Sequence, residues 1–168
     1  VYNTQKHQRV NYPITFMDAT TTWPYEDDTF EAMLSEHMIE HIPEEKGLFA
    51  LKEAHRTLQP GGVARITCPN RDFFTTLTDN NHPFVVNYCR IIMNNTIPSA
   101  ARVVSRTLNE QGHVWVPTPK MLILQMKKAG FQDVKQVQYG KSEHTFFDGI
   151  EEFNGIREYE TLCVEGTK

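Results

Sequence analysis

No stretch of this 168-residue chain approaches the roughly 20 consecutive apolar residues that a membrane-spanning helix requires, and its polar opening "VYNTQKHQRVNY" has no signal-peptide character. Positive charge is also short. Lys and Arg total 17 against 21 Asp and Glu, a formal charge of −4, so no broad basic field exists to hold nucleic-acid phosphates or acidic lipid. Generic nucleic-acid binding and membrane association are therefore excluded. Cysteine is scarce: Cys68, Cys89 and Cys163 are odd in number, far apart and set among apolar neighbours. That distribution argues against a disulfide framework and for free thiols in a reducing compartment, so the cytoplasm is expected. Repeats, low-complexity segments and linkers are absent, and a single domain over residues 1–168 is expected. An initiating Met is lacking too, and with Val1 in its place residues are expected to be missing ahead of the chain.

What is present alternates between strand and helix patterns. "ITFM" (residues 14–17) is a short β-favouring apolar run ending at Asp18, followed by the loop "WPYEDD". "TFEAML" then reads as a strand buried in a sheet, too short and too apolar for a free helix. Pro43 suits a first helical position, Glu44 and Glu45 place negative charge at the positive helix start, and Leu48, Leu51, His55 and Leu58 recur on one face. "QPGG" is expected to stop that helix and "VARITCP" to form the next strand, a parallel strand–helix–strand unit. Residues 71–108 are helical in character but broken by Pro83 and Pro98 into three segments, a cap or insertion. Thr118 can cap, Pro119 start and Gly130 finish a helix over "KMLILQMKKA". "DVKQVQY" and "YETLCVEG" close the chain as neighbouring antiparallel strands.

The segment "SEHMIEH" carries the candidate chemistry. Two histidines four apart on one helix face could grip zinc while the intervening glutamate activates water, which would make His37, Glu40 and His41 a hydrolase site. Pro43, two residues past His41, and the strand pattern before His37 argue against such a helix, and no metal ligand is assigned. His41 and His55 read as structural. Glu36 and His37 stand first after a buried parallel strand, where open α/β sheets bind their ligands. His113, in the "QGHVW" loop ahead of the last long helix, could turn back over the same crevice.

Taken in order, Asp18-Ala19, "WPYEDDTFEAMLSEHMIEHI", "LKEAHRTLQPGGVARITCPN" and "GHVW…MLILQMKKAGFQDV" resemble the class I S-adenosylmethionine-dependent methyltransferases. The likeness is to small bacterial-type members whose sequences run "LPFEDNSFD", "SEHxxEH" and "LKPGG". It implies an α/β fold, a Rossmann-like three-layer sandwich with a mostly parallel sheet and an antiparallel last strand. On that template "ITFM" is the third strand, "EAML" the fourth, "VARITC" the fifth, and the two closing strands the sixth and seventh.

The resemblance further implies that Asp18 accepts a hydrogen bond from the adenine amino group, with Ala19 along the ring. Ser35, Glu36 and His37 would face the methionine part of S-adenosylmethionine. Glu36, His37 and His113 are the candidate bases for methyl transfer to an unknown small acceptor. The family's first two strands and its "GxGxG" loop have no counterpart here, so the chain is either an N-terminally truncated piece or a degenerate relative acting as a cofactor-free interaction domain. Without those strands the edge of "EAML" would be bare. Either the third strand shifts to pair with it, or two chains join there as a homodimer.

Overall fold

The computed structural model describes residues 14–151 and 153–168. The first regular element is strand β1, Phe30–Glu36, in which Ala32, Met33 and Leu34 sit half-buried. Helix α1, Glu44–Thr57, follows a short 3-10 turn and starts behind Pro43, with Glu44 and Glu45 in its first turn. It buries Ala50, Leu51 and Ala54 against the sheet.

Strand β2, Leu58–Pro69, begins five residues before the expected "VARITCP". Leu58 is already extended and pairs with Phe30, so the helix ends at Thr57 and "QPGG" lies within the strand. The register then jumps from Phe30↔Leu58 to Ala32↔Val63, which makes Gln59–Gly62 a bulge. Its glycines are required by geometry. Gly61 has φ +79°, and a Cβ on Gly62 would lie 2.8 Å from the Gln59 carbonyl oxygen.

A helical cap follows: α2, Arg71–Thr76; α3, Pro83–Ile91; and α4, Ala100–Asn109. Their breaks fall at the prolines, as the sequence implies. Phe74, Phe84, Val85, Tyr88 and Val103 form a small core of their own, joined by Ile156. Helix α5, Pro119–Ala129, is capped by Thr118, whose hydroxyl accepts from Met121 N–H, and it ends on Gly130 at φ +112°. Strand β3, Gln132–Val137, the single turn α6, Arg157–Glu160, and strand β4, Thr161–Thr167, complete the chain.

The sheet order is β1-β2-β4-β3, with β1 and β2 parallel and β4 antiparallel to both of its neighbours. Alternation along β2 separates two environments. Ala64, Ile66 and Cys68 join the main core with Leu51, Leu122, Met126, Leu162 and Val164, under α1 and α5. Arg65 points the other way and is completely buried. It stands directly opposite Glu165 in the register and donates from Nη1 to that carboxylate at 2.6 Å, from Nε to Glu151 at 2.5 Å, and from Nη1 to the Lys141 carbonyl at 3.1 Å. This charge triad fastens the 138–151 segment, with buried Tyr139 and Phe147, to the sheet.

One expected strand is absent. Ile14–Met17 is not regular structure and pairs with no strand; Ile14 and Phe16 are almost fully exposed. Four apolar residues cannot hold a strand without a ladder partner. The expected shift of this segment onto β1 therefore does not occur, and no strand among the described residues covers the outer edge of β1. No helix among the described residues is long and apolar enough to cross a membrane.

Candidate active site

Two cavities are lined by successive residues at the carboxyl end of β1. The first is a groove of about 500 Å³ whose wall includes Ala32, Met33, Leu34, Ser35 and Glu36. Consecutive residues of a strand point alternately to opposite faces, so a cavity touching all five must run along the strand's edge. The groove therefore occupies the uncovered side of β1. Its opposite wall is the loop bearing Ala19, Trp23 and Tyr25.

Helix α1 pins that loop. Glu53 Oε2 accepts from Trp23 N–H at 2.7 Å, and Arg56 donates to the carbonyls of Tyr25 at 2.9 Å and Trp23 at 3.3 Å. The Arg56 guanidinium also binds Glu53 and holds its carboxyl below the usual carboxylate range. Ser35 Oγ is buried without a hydrogen-bond partner, an unusual cost in a mostly apolar wall. Asp18 does not line the groove. Its Oδ1 accepts from Thr20 N–H and Oγ–H, both at 2.8 Å, and these bonds lower its pKa on an exposed turn beside Ala19.

The second cavity, about 310 Å³, is polar. It is lined by His37, Glu40, His41 and His113 and, from the far side, by Tyr88, Gln111, Arg157 and Glu160. His37 closes β1: its N–H still bonds the Thr67 carbonyl at 2.9 Å, but its φ of +45° turns the chain sharply out of the sheet. A non-glycine residue held there marks a site where the surroundings enforce strain. The following Ile39–His41 forms a three-residue 3-10 turn, so "HMIEH" does not lie on a continuous helix.

The His37 ring is enclosed. Nε2 is 3.1 Å from Thr161 Oγ1, and Arg157 Nη1 approaches Nδ1 at 2.8 Å and Nε2 at 3.0 Å. Burial pulls its pKa below the ordinary imidazole value and Arg157 lowers it further, outweighing the opposing pull of Glu40. Since guanidinium only donates, a neutral imidazole fits this place. Arg157 also pairs with Glu160 at 3.0 Å, yet burial still pushes the Glu160 carboxyl up to about 7.

The loop bearing His113 is laced to the 3-10 turn. The Glu40 carbonyl accepts from Val114 N–H at 2.8 Å and Trp115 N–H at 3.3 Å, while the His41 and His113 rings meet edge to face at 4.9 Å.

Of the residues singled out from the sequence, Ala19, Ser35 and Glu36 lie on the groove, His37 and His113 on the cleft, and Asp18 on neither. Arg157 and Glu160 escape sequence reading because they sit in an irregular acidic stretch. The available signal is topological: β4 runs antiparallel, so its start shares a rim with the ends of β1 and β2.

A parallel strand–helix–strand unit, an inserted antiparallel strand and a crevice at the strand ends define a Rossmann-like α/β fold of the methyltransferase type. The methyltransferase domain family matches residues 3–136, and the chain belongs to that family. No curated protein matches it. Among solved structures it is similar to a SAM-dependent methyltransferase from Archaeoglobus fulgidus, with TM-score 0.56, 12% identity, and coverage of 94% of this chain and 68% of that one. A possible exported protein from Bordetella parapertussis gives TM-score 0.55 and 13% identity over 90% of this chain and 42% of that one. A SAM-dependent methyltransferase from Thermotoga maritima, described as a possible histamine N-methyltransferase, gives TM-score 0.50 and 22% identity over 89% and 61%. At these identities the likeness is one of fold. The chain spans 42–68% of the length of these three structures.

Proposed function

We propose that this protein is a S-adenosylmethionine-dependent methyltransferase domain in which the groove along β1 takes the cofactor and the polar cleft takes a small polar methyl acceptor. The observation that carries this reading is that Glu36 lines the groove and the next residue, His37, lines the cleft, so one strand end serves both cavities. A volume of about 500 Å³ suits a nucleoside-sized ligand. The buried, unpartnered Ser35 hydroxyl and the uncovered backbone of β1 supply polar groups that such a ligand would satisfy.

Ala19, Ser35 and Glu36 would hold the cofactor, with Asp18 reaching it from the rim through lone pairs its own turn leaves free. When bound, the cofactor supplies a methyl group activated by its sulfonium centre. The residues of this chain do the rest. His37, kept neutral by burial beside Arg157, takes a proton from the acceptor once the acceptor displaces Arg157 from its Nδ1, and the cap helices α2 to α4 limit water on the acceptor side. His113 faces the same cleft from the opposite loop as a second proton acceptor, and Glu36 serves the groove. A second copy pairing on the bare edge of β1 would compete with the cofactor for the groove.

Calorimetric titration with S-adenosylmethionine and S-adenosylhomocysteine tests the assignment. Saturable heat, accompanied by a rise in unfolding temperature, supports it. Neither heat nor thermal shift at millimolar ligand overturns it for this chain and favours the cofactor-free interaction domain.

A further inference from the structure

We propose that Glu40, His41 and His113 form a binding site for a divalent transition-metal cation in the polar cleft, held by one carboxylate and two imidazoles. One donor atom from each of the three lies within 4.8 Å of the others. Proximity alone would carry little weight; the hydrogen bonds around the cluster carry more.

Glu40 is wholly buried, with an exposure of 0%, and neither carboxylate oxygen has a hydrogen-bond partner. An ionised carboxylate is rarely buried without a compensating charge. Its nearest imidazole nitrogen, His37 Nδ1 at 3.2 Å from Oε1, already accepts from Arg157 Nη1 at 2.8 Å and has no proton to give it. His41 Nε2 stands 4.0 Å from the same oxygen. The carboxylate is thus aimed into the cleft with its charge unanswered.

Both imidazoles have one nitrogen anchored to the main chain. The Nδ1 of His41 faces the Gly112 carbonyl at 3.2 Å and the Nδ1 of His113 faces the Thr107 carbonyl. A carbonyl only accepts, so each Nδ1 carries the proton and each Nε2 keeps its lone pair. Anchoring the far nitrogen to a carbonyl is how metal-binding histidines have their tautomer and ring orientation set. The main-chain bonds from Val114 and Trp115 to the Glu40 carbonyl hold the two contributing segments together without any ion.

This donor set differs from the trio suggested by the sequence pattern. His37 is excluded because its two nitrogens already face Arg157 and Thr161. His113, far away in sequence, takes its place. Two imidazoles and a carboxylate suit zinc, manganese, cobalt or iron in the divalent state and leave coordination positions for water or an oxygen ligand in the cleft. Bond lengths near 2.1 Å require the donors to draw in by about an ångström. His41, whose side chain is 41% exposed, has room to do so.

Binding requires neither cofactor nor acceptor, so its failure would leave the methyl-transfer reading untouched. The test is to strip the protein with chelator and titrate it with Co²⁺, following visible absorption, and with Zn²⁺, followed by elemental analysis. One equivalent is expected. Glu40→Gln, His41→Ala and His113→Ala should each weaken binding beyond the roughly 10–100-fold that loss of an outer hydrogen-bond partner costs. His144→Ala, a histidine outside the cleft, should leave binding unchanged. Should the buried Glu40→Gln variant fold poorly, the exposed His41→Ala variant still decides the matter. No stoichiometric binding, or binding that survives His41→Ala and His113→Ala, overturns the proposal.

Discussion

The two cavities at the end of β1 take their walls from neighbouring residues but have little chemistry in common. The groove is walled by Ala19, Trp23, Tyr25 and the edge of β1, and its one buried polar atom without a partner is a neutral hydroxyl, Ser35 Oγ. The cleft holds three imidazoles, two carboxylates and a guanidinium in about 310 Å³. One strand turning sharply at His37 creates both. Residues before the turn contribute mainly shape and backbone, with Glu36 the exception, and those after it contribute most of the titratable groups. Substitutions on the groove side should thus change affinity, whereas those on the cleft side should change rate and pH response.

The largest effect is expected at the boundary. His37→Ala should lower the rate of methyl transfer by about 10²–10⁴-fold, the usual contribution of a general base, while cofactor affinity measured by calorimetry stays within about threefold. A matching loss of affinity would break the division between the cavities.

Glu160→Gln comes next. The folded-state pKa of about 7 lies above the value of 4.5 for a free carboxyl, so the folded protein binds the proton more tightly than the unfolded chain. The associated stability is present in full below pH 4.5 and is lost as pH rises through 7, a span worth about 3 kcal/mol at most. Unfolding temperatures measured from pH 5 to 8 should fall less steeply in the variant.

Ala19→Trp, filling the groove from the loop side, should weaken cofactor binding at least about tenfold, or roughly 1.4 kcal/mol, without altering the unfolding temperature by more than a few degrees. The smallest effect is expected at Ser35. Removing its unpartnered hydroxyl in Ser35→Ala should stabilise the ligand-free protein by about 1 kcal/mol, read from denaturant unfolding, while cofactor binding weakens.

Local rules made much of the fold legible. Thr118, Pro119 and Gly130 bound α5 where capping chemistry places them, and the broken helices follow Pro83 and Pro98. Failures occur where a partner decides. "ITFM" has β propensity but no strand beside it, and propensity alone does not make a ladder. Leu58 reads as the last helical apolar position, yet pairing with Phe30 draws it into β2 and converts "QPGG" into a bulge. In the cleft, the strand-end position of His37 is visible from the chain, whereas its enclosure by Arg157 and Thr161 joins residues more than 100 positions apart. Arg65 reads as a polar interruption in a strand; its two carboxylate partners are far away in sequence and appear only once the sheet has formed.

The reversed direction of β4 also sets a timetable for synthesis. Because Arg157 and Glu160 lie just ahead of that strand, the wall they form behind His37 leaves the ribosome after β1, β2 and α5. A nascent chain can complete α5 and still lack this wall. The ring of His37 would then remain open to water until β4 slots between β2 and β3, so the cleft end of the molecule matures in the same event that closes its sheet.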